Sequence, residues 1–228
     1  MRKIPTLFER EYENHKVVGI TDKLTSPNLQ VVLDGKAIAT VKYDGSCCAV
    51  IDGKWYKRYD CKKGKKAPAG AIPCQDTPDE VTGHWPHWVE LDETKPEDKW
   101  FIEAFKNYFE KDGKVKTIIN NDEVTINHKD RKGLAIDEPF TYEAMGPHFQ
   151  NNPEGYDRDI VIPHGCDIIK ELQGIPLTFE LIKDFLKDMP IEGIVFWFED
   201  PTGCYPICKI KRSDFGYEWP VPFKKEEK

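Results

Sequence analysis

An α+β fold, with a mostly antiparallel sheet that is doubled and flanked by helices, is predicted by three features of the sequence. Short apolar runs flank Asp-Gly pairs at Asp34-Gly35 and Asp52-Gly53, which is a strong hairpin signal. Two longer segments, 99–111 and 178–189, carry apolar residues close to the 3.6-residue period of a helix. At 228 residues the chain is long enough to bury a real core, and it is read as one domain spanning 1–228.

The elements follow in order. Residues 1–28 are polar, contain two prolines, and are expected to form an irregular or helical lead-in. Residues 29–33 and 36–42 look like paired strands around Asp34-Gly35, and 47–51 and 55–59 repeat the pattern around Asp52-Gly53. Lys42 then sits within an antiparallel meander. From 62 to 98 the composition shifts to Pro, Gly, Lys and Asp, with Trp85, Trp88 and Val89 as apolar punctuation; an elaborated loop covering one side of the sheet is expected. In the helix at 99–111, Phe101, Ile102, Phe105, Tyr108 and Phe109 keep the period, and Asp112-Gly113 ends it. Strands are expected at 115–119, 124–126, 140–145 and 160–162. Thr178 caps the second helix, Pro190 stops it, strands follow at 194–198 and 205–210, and 223–228 is a frayed charged tail.

Composition narrows the classes of function. Hydrophobic residues make up 39% and charged residues 32%. No apolar run approaches the roughly 18 residues of a membrane span, and the N-terminus lacks a secretory pattern. Seven cysteines, an odd number with Cys47 and Cys48 adjacent, make a poor disulfide framework and suit a reducing cytoplasm. The net charge of −7 argues mildly against a polyanionic partner. Locally, however, Lys54, Lys57, Arg58, Lys62, Lys63, Lys65 and Lys66 stand against Asp60 alone, a local charge of +6. That run reads either as a solvated face or as a phosphate-binding patch. Cys61, Cys74, His84 and His87 could ligate zinc, but their spacing fits no compact finger, and loop packing is the preferred reading.

The residues that carry chemistry centre on Lys42-Tyr43-Asp44-Gly45. A strand's side chains repeat every two residues, so Lys42 and Asp44 share a side. A lysine at a strand end becomes a nucleophile when burial or nearby cations lower its pKa. Taken alone, the tetrad reads equally as a solvated hairpin. Three later segments add partners. Glu143 interrupts an apolar strand, Glu192 stands at the entrance of another in Ile191-Glu192-Gly193-Ile194-Val195, and Lys209 and Lys211 share a side of the last strand.

In this order the segments resemble the covalent nucleotidyltransferase superfamily, and within it the small ATP-dependent RNA ligases related to the vertebrate 5′-to-3′ RNA ligase. Lys-x-Asp-Gly followed by Ser46-Cys47-Cys48, Asn152-Pro153-Glu154-Gly155 and Ile162-Pro163-His164-Gly165 point to that group. The resemblance runs from about Leu33 to Phe215. It implies a nucleotidyltransferase fold (the ligase adenylation domain, ATP-grasp-like) with an ATP cleft between its sheets. The chain ends soon after Lys211, so no OB-fold is expected.

The resemblance also implies roles. Lys42 attacks the α-phosphorus of ATP and carries covalent AMP. Asp44, Glu143 and Glu192 hold Mg²⁺ or Mn²⁺, with Glu143 also contacting the ribose. Lys209 and Lys211 neutralise the α-phosphate. Val41, Arg58 and Ile162 join Lys42, Glu143, Lys209 and Lys211 in nucleotide binding. Arg58 stands in for the arginine that many ligases carry where this chain has Cys47, and Ile162 for an aromatic beneath the adenine. RNA with 5′-phosphate and 3′-hydroxyl ends is the implied partner, held by Lys57, Lys62, Lys63, Lys65 and Lys66, and the protein is expected to act as a monomer. The alternatives are a capping-type guanylyltransferase using GTP and a non-catalytic nucleotide- or RNA-binding module on the same fold.

Overall fold

The computed structural model describes residues 1–14, 16–80, 82–108, 114–119, 122–127, 140–199 and 207–221. The predicted helix end at Asp112-Gly113, the start of the last strand at Tyr205 and the tail 223–228 lie outside these residues. In chain order the elements are β1 (Phe8–Glu13), β2 (Lys16–Leu24), α1 (Gln30–Leu33), β3 (Ile38–Lys42), β4 (Ser46–Ile51), β5 (Lys54–Cys61), β6 (Ile72–Pro73) and β7 (Trp85–Glu90). There follow α2 (Lys99–Tyr108), β8 (Lys114–Ile119), β9 (Asp122–Asn127), β10 (Phe140–Met145), β11 (Ile160–Pro163), α3 (Phe179–Asp188), β12 (Gly193–Trp197) and β13 (Ile207–Lys211). Mostly antiparallel sheets with few helices agree with an α+β class. Among the described residues no helix is long and apolar enough to cross a membrane. The chain divides into two compact units, Ile4–Tyr43 with Asp167–Lys228, and Met1–Lys3 with Asp44–Cys166.

The unit containing Lys42 is built on a three-stranded sheet in the order β13-β12-β3. Ala39, Ile194, Phe196, Cys208 and Ile210 face a core completed by Ile182 and Leu186 of α3 and by Leu29, Val32 and Leu177. Thr178 caps α3 as predicted, its Oγ1 accepting the Leu181 N–H at 3.1 Å. The hairpin expected around Asp34-Gly35 is absent. Residues 27–33 form a 3₁₀ turn and one turn of α-helix, because Leu29 and Val32, three apart, bury together. Lys42 therefore ends a strand that pairs with β12, not one in a meander.

The expected irregular or helical lead-in is instead an antiparallel hairpin of β1 and β2. Their side chains are largely solvated, with Phe8 the fully buried member, so the pair lacks the apolar alternation that advertises a strand. Residues 5–7 also run along β13: Leu7 N–H donates to Lys209 O at 2.8 Å and Lys209 N–H to Pro5 O at 2.9 Å. That backbone pairing covers the outer side of the strand bearing Lys209 and Lys211.

The other unit carries a six-stranded sheet in the order β11-β10-β4-β5-β7-β6, and α2 packs on it. Phe105 of α2 stacks on Trp55 with ring centroids 5.2 Å apart and meets Tyr142 edge-on. The expected loop at 62–98 is in fact partly sheet. β7 pairs with β5 from Tyr56↔Glu90 to Cys61↔Trp85, and β6 adds the edge. Pro86 disguised this strand, because a proline within a run argues against ladder pairing. Trp88 is 2% exposed and packs with Ala49 and Tyr56.

Candidate active site

Lys42 and Lys211 lie opposite the same residue, Gly193, on the two sides of β12. Cross-strand partners share a face of the sheet, so both amines stand on one side of it, and Lys209, two residues before Lys211, stands with them. Gly193 is required here: a Cβ would come within 2.2 Å of Ile210 O, so only glycine lets β13 approach this closely. The preceding Glu192, 4% exposed, joins the two amines. Its Oε2 accepts a hydrogen bond from Lys42 Nζ and its Oε1 one from Lys211 Nζ. Lys42 Nζ also donates to Tyr43 O at 3.2 Å. Three ammonium groups against one carboxylate leave a cationic centre, suited to an anion whose charge spreads during reaction.

Further contacts within this unit hold the strand ends. Asp167 accepts the Val41 N–H on its carbonyl at 2.9 Å and the Tyr43 hydroxyl on its carboxylate. Val41 thus has its N–H engaged, and its side chain packs on the core. At the end of β13, Asp214 accepts Arg10 Nε at 2.8 Å and the Lys211 N–H at 2.9 Å.

Burial is the main force lowering Lys209, to about 8, followed by the charges of Lys42, Lys211 and Arg10, with Glu192 opposing them. Holding this ammonium in the fold therefore costs stability at neutral pH. Lys209→Met is expected to melt higher than the wild type at pH 7. The gain should narrow as pH rises from about 8 towards 10.5, the usual lysine value, because there the native state has lost a proton that the unfolded chain still holds. Melting curves across that pH window check this, and a gain independent of pH would contradict it.

In the other unit the segment after the nucleophile candidate is fastened by carboxylates. Glu154 Oε1 accepts the Asp44 N–H at 2.9 Å, and Glu143 Oε1 the Gly45 N–H at 3.2 Å. Gly45 is again obligatory, since a Cβ would lie 2.3 Å from Ala144 O. Glu143 is central in β10, opposite Cys47 on one side and Ile162 on the other. Its Oε2 lies 2.8 Å from His164 Nε2, and His164 Nδ1 lies 2.9 Å from Thr141 Oγ1. Burial, helped by the Glu143 charge, pushes the Cys47 thiol up to about 12. Glu154, His164 and Asp167 had no role assigned from sequence. Their signal was a lone polar residue inside the Asn-Pro-Glu-Gly and Ile-Pro-His-Gly segments and just beyond them.

The remaining predicted residues fare differently. Arg58 pairs with Asp60 at 3.0 Å, while its buried Nε has no hydrogen-bond partner among the described residues. Ile162 is fully buried and presents no surface on which a base could stack. Lys57 is committed to the fully buried Asp98, whose other oxygen accepts the Asp92 N–H, and so it leaves the basic patch. Lys62, Lys63, Lys65 and Lys66 are exposed. Of Cys61, Cys74, His84 and His87, Cys61 and His87 lie in strands β5 and β7 rather than in a loop; Cys61 bonds to the carbonyls of Lys62 and Lys65, and His87 Nδ1 lies 2.8 Å from Trp85 O. Among the described residues these four form no group with metal-ligand spacing, whereas Cys47, Glu143 and His164 do.

No family model matches the chain. It is similar along nearly its whole length to two mammalian proteins named RNA ligase 1. The rat (Rattus norvegicus) protein is 24% identical over 280 aligned positions, which cover 97% of this chain and 82% of the relative. The mouse (Mus musculus) protein has the same identity and coverage. The relationship to RNA ligases that the motifs suggest is therefore supported, as a distant one.

Proposed function

We propose that this protein is an ATP-dependent RNA ligase that joins a 5′-phosphate to a 3′-hydroxyl through lysyl-AMP and AMP-capped RNA. The observation that carries the reading is the group Lys42, Glu192, Lys211 and Lys209, whose composition and order match the nucleotidyltransferase pattern. Lys42 Nζ attacks the α-phosphorus of ATP, a nitrogen–phosphorus bond forms, pyrophosphate leaves, and the amine gives up its proton. AMP then passes to the RNA 5′-phosphate, and attack by the 3′-hydroxyl on the capped end releases it.

The chain's own residues supply positioning and charge. Glu192 holds Lys42 and Lys211 in one place before the nucleotide arrives, so little reorganisation is needed at reaction. Lys211 and Lys209 neutralise the phosphate oxygens as the nucleophile closes in. Glu154 and Glu143 fix the Asp44-Gly45 backbone. The donor chemistry suits a hard divalent ion: Glu192, beside Lys42 and Lys211, offers carboxylate oxygens of the kind Mg²⁺ takes while keeping several waters, and Asp44 and Glu143 of the other unit offer the same chemistry. Mg²⁺ or Mn²⁺ held by such carboxylates would add positive charge against the phosphates.

The test is incubation with ATP, Mg²⁺ and 5′-radiolabelled RNA. The label is expected to become resistant to phosphatase, with AMP-capped RNA as a transient. A label that stays phosphatase-sensitive under every metal condition would refute sealing.

RNA contact is assigned to Lys62, Lys63, Lys65 and Lys66, the exposed members of the basic run that remain once Lys57 is committed to Asp98 and Lys54 to Glu90. Neutralising all four to glutamine should spare self-adenylylation, whose charges come from Lys42, Lys209 and Lys211. It should weaken RNA binding and flatten its salt dependence, by up to about 0.7 in log–log slope per lost single-strand phosphate contact. Binding measured over a salt series decides it. An unchanged slope would return the run to a solvated loop.

A further inference from the structure

We propose that Cys47, Glu143 and His164 form a binding site for a divalent cation of the zinc class. Cys47 on β4 lies directly opposite Glu143 on β10, and His164 follows β11, the strand on the other side of β10. One ligand atom from each residue (the thiol sulfur, a carboxylate oxygen and a ring nitrogen) can be chosen so that all lie within 4.8 Å of one another. Tetrahedral coordination by such donors needs them about 3.5 Å apart, so closing the site takes side-chain movement of roughly 1 Å. All three residues are partly exposed, which leaves a path for an ion from solvent.

The histidine is already oriented for the task. Thr141 Oγ1 holds Nδ1 and turns Nε2 towards the Glu143 carboxylate, while the His164 N–H donates to Thr141 O at 3.1 Å. A hydrogen-bond partner on the far ring nitrogen is the outer-shell arrangement that fixes the tautomer of a metal-bound imidazole. A nitrogen, oxygen and sulfur donor set favours zinc and its late first-row neighbours over Mg²⁺ or Ca²⁺, which take oxygen. Three protein donors leave the fourth position to water. Coordination converts the Cys47 thiol to thiolate, with its proton released to solvent.

The consequence for activity, and that alone, rests on the ligase reading. A zinc ion here engages the carboxylate that the nucleotide chemistry uses, so it acts as an inhibitor of the Mg²⁺-supported reaction.

Co²⁺ titration of the intact protein reads the site without reference to catalysis. A thiolate-to-cobalt charge-transfer band is expected, displaced by Zn²⁺. Cys47→Ser should abolish it, His164→Ala should weaken Co²⁺ binding at least tenfold, and Cys61→Ser and Cys74→Ser should leave it intact. Absence of the band in the wild type, or its survival in Cys47→Ser, overturns the site. In a parallel assay with labelled ATP and Mg²⁺, each variant is referred to its own zinc-free yield. Cys47→Ser should then need at least tenfold more zinc for half-inhibition. Equal zinc sensitivity overturns the inhibitory consequence. Failure of every sample to label refutes the ligase reading and leaves the cobalt result standing.

Discussion

Lys42→Ala is expected to abolish transfer of labelled AMP from ATP to the protein. In the wild type, incubation with ATP labelled at the α-phosphate and a divalent metal is expected to give a labelled band that survives denaturing electrophoresis, far stronger than the band from GTP. The adduct should be acid-labile and alkali-stable, as a phosphoramidate is; the reverse lability would mean an ester or acyl phosphate. The expectation is total loss, not reduction, because no other lysine of the cluster shares Lys42's place at the end of β3 with its amine on Glu192. Lys211 reaches the same carboxylate but leaves from the opposite strand. Lys42→Arg is the informative companion, since it keeps positive charge against Glu192 yet offers no nucleophilic amine. If either variant still labels at the wild-type rate, Lys42 is not the nucleophile.

Glu192→Ala is expected to lose at least tenfold in adenylylation, about 1.4 kcal/mol of transition-state stabilisation. The carboxylate is 4% exposed and bonds both Lys42 and Lys211. Its removal leaves two like charges facing one another across Gly193, which drives the amines apart and towards water. Stability should fall too, because breaking a buried pair strands its partner charges. The rate must therefore be referred to the folded fraction from a melting curve. Glu192→Gln separates the effects, keeping shape and hydrogen-bond reach while removing the charge. Full rates in both variants across a Mg²⁺ titration would remove Glu192 from the site.

Much of this site was legible because its chemistry is written in short segments. Lys42-x-Asp44-Gly45, Glu143, Glu192-Gly193 and Lys209-x-Lys211 stand out as charged residues within apolar runs, where a charge needs a partner. Thr178 and its helix were equally plain, since a cap and a 3.6-residue period are local properties. Local pattern failed where burial was decided elsewhere. Leu29 and Val32 read as strand residues until the core claimed both from one helical turn. Pro86 masked β7, and the solvated faces of β1 and β2 gave no alternation to find.

By itself, then, the sequence determined the class of fold, the helix that carries its own cap and period, and the charged residues set within apolar runs. Only the tertiary structure decided which partners those residues take. It put Lys42 and Lys211 on one carboxylate, committed Lys57 to Asp98, enclosed Ile162, and brought Cys47, Glu143 and His164 together. The reason is physical: strand register joins residues far apart in the sequence, as with Lys42 and Glu192, and register is set by the whole buried face of a sheet rather than by the few polar residues at a strand end.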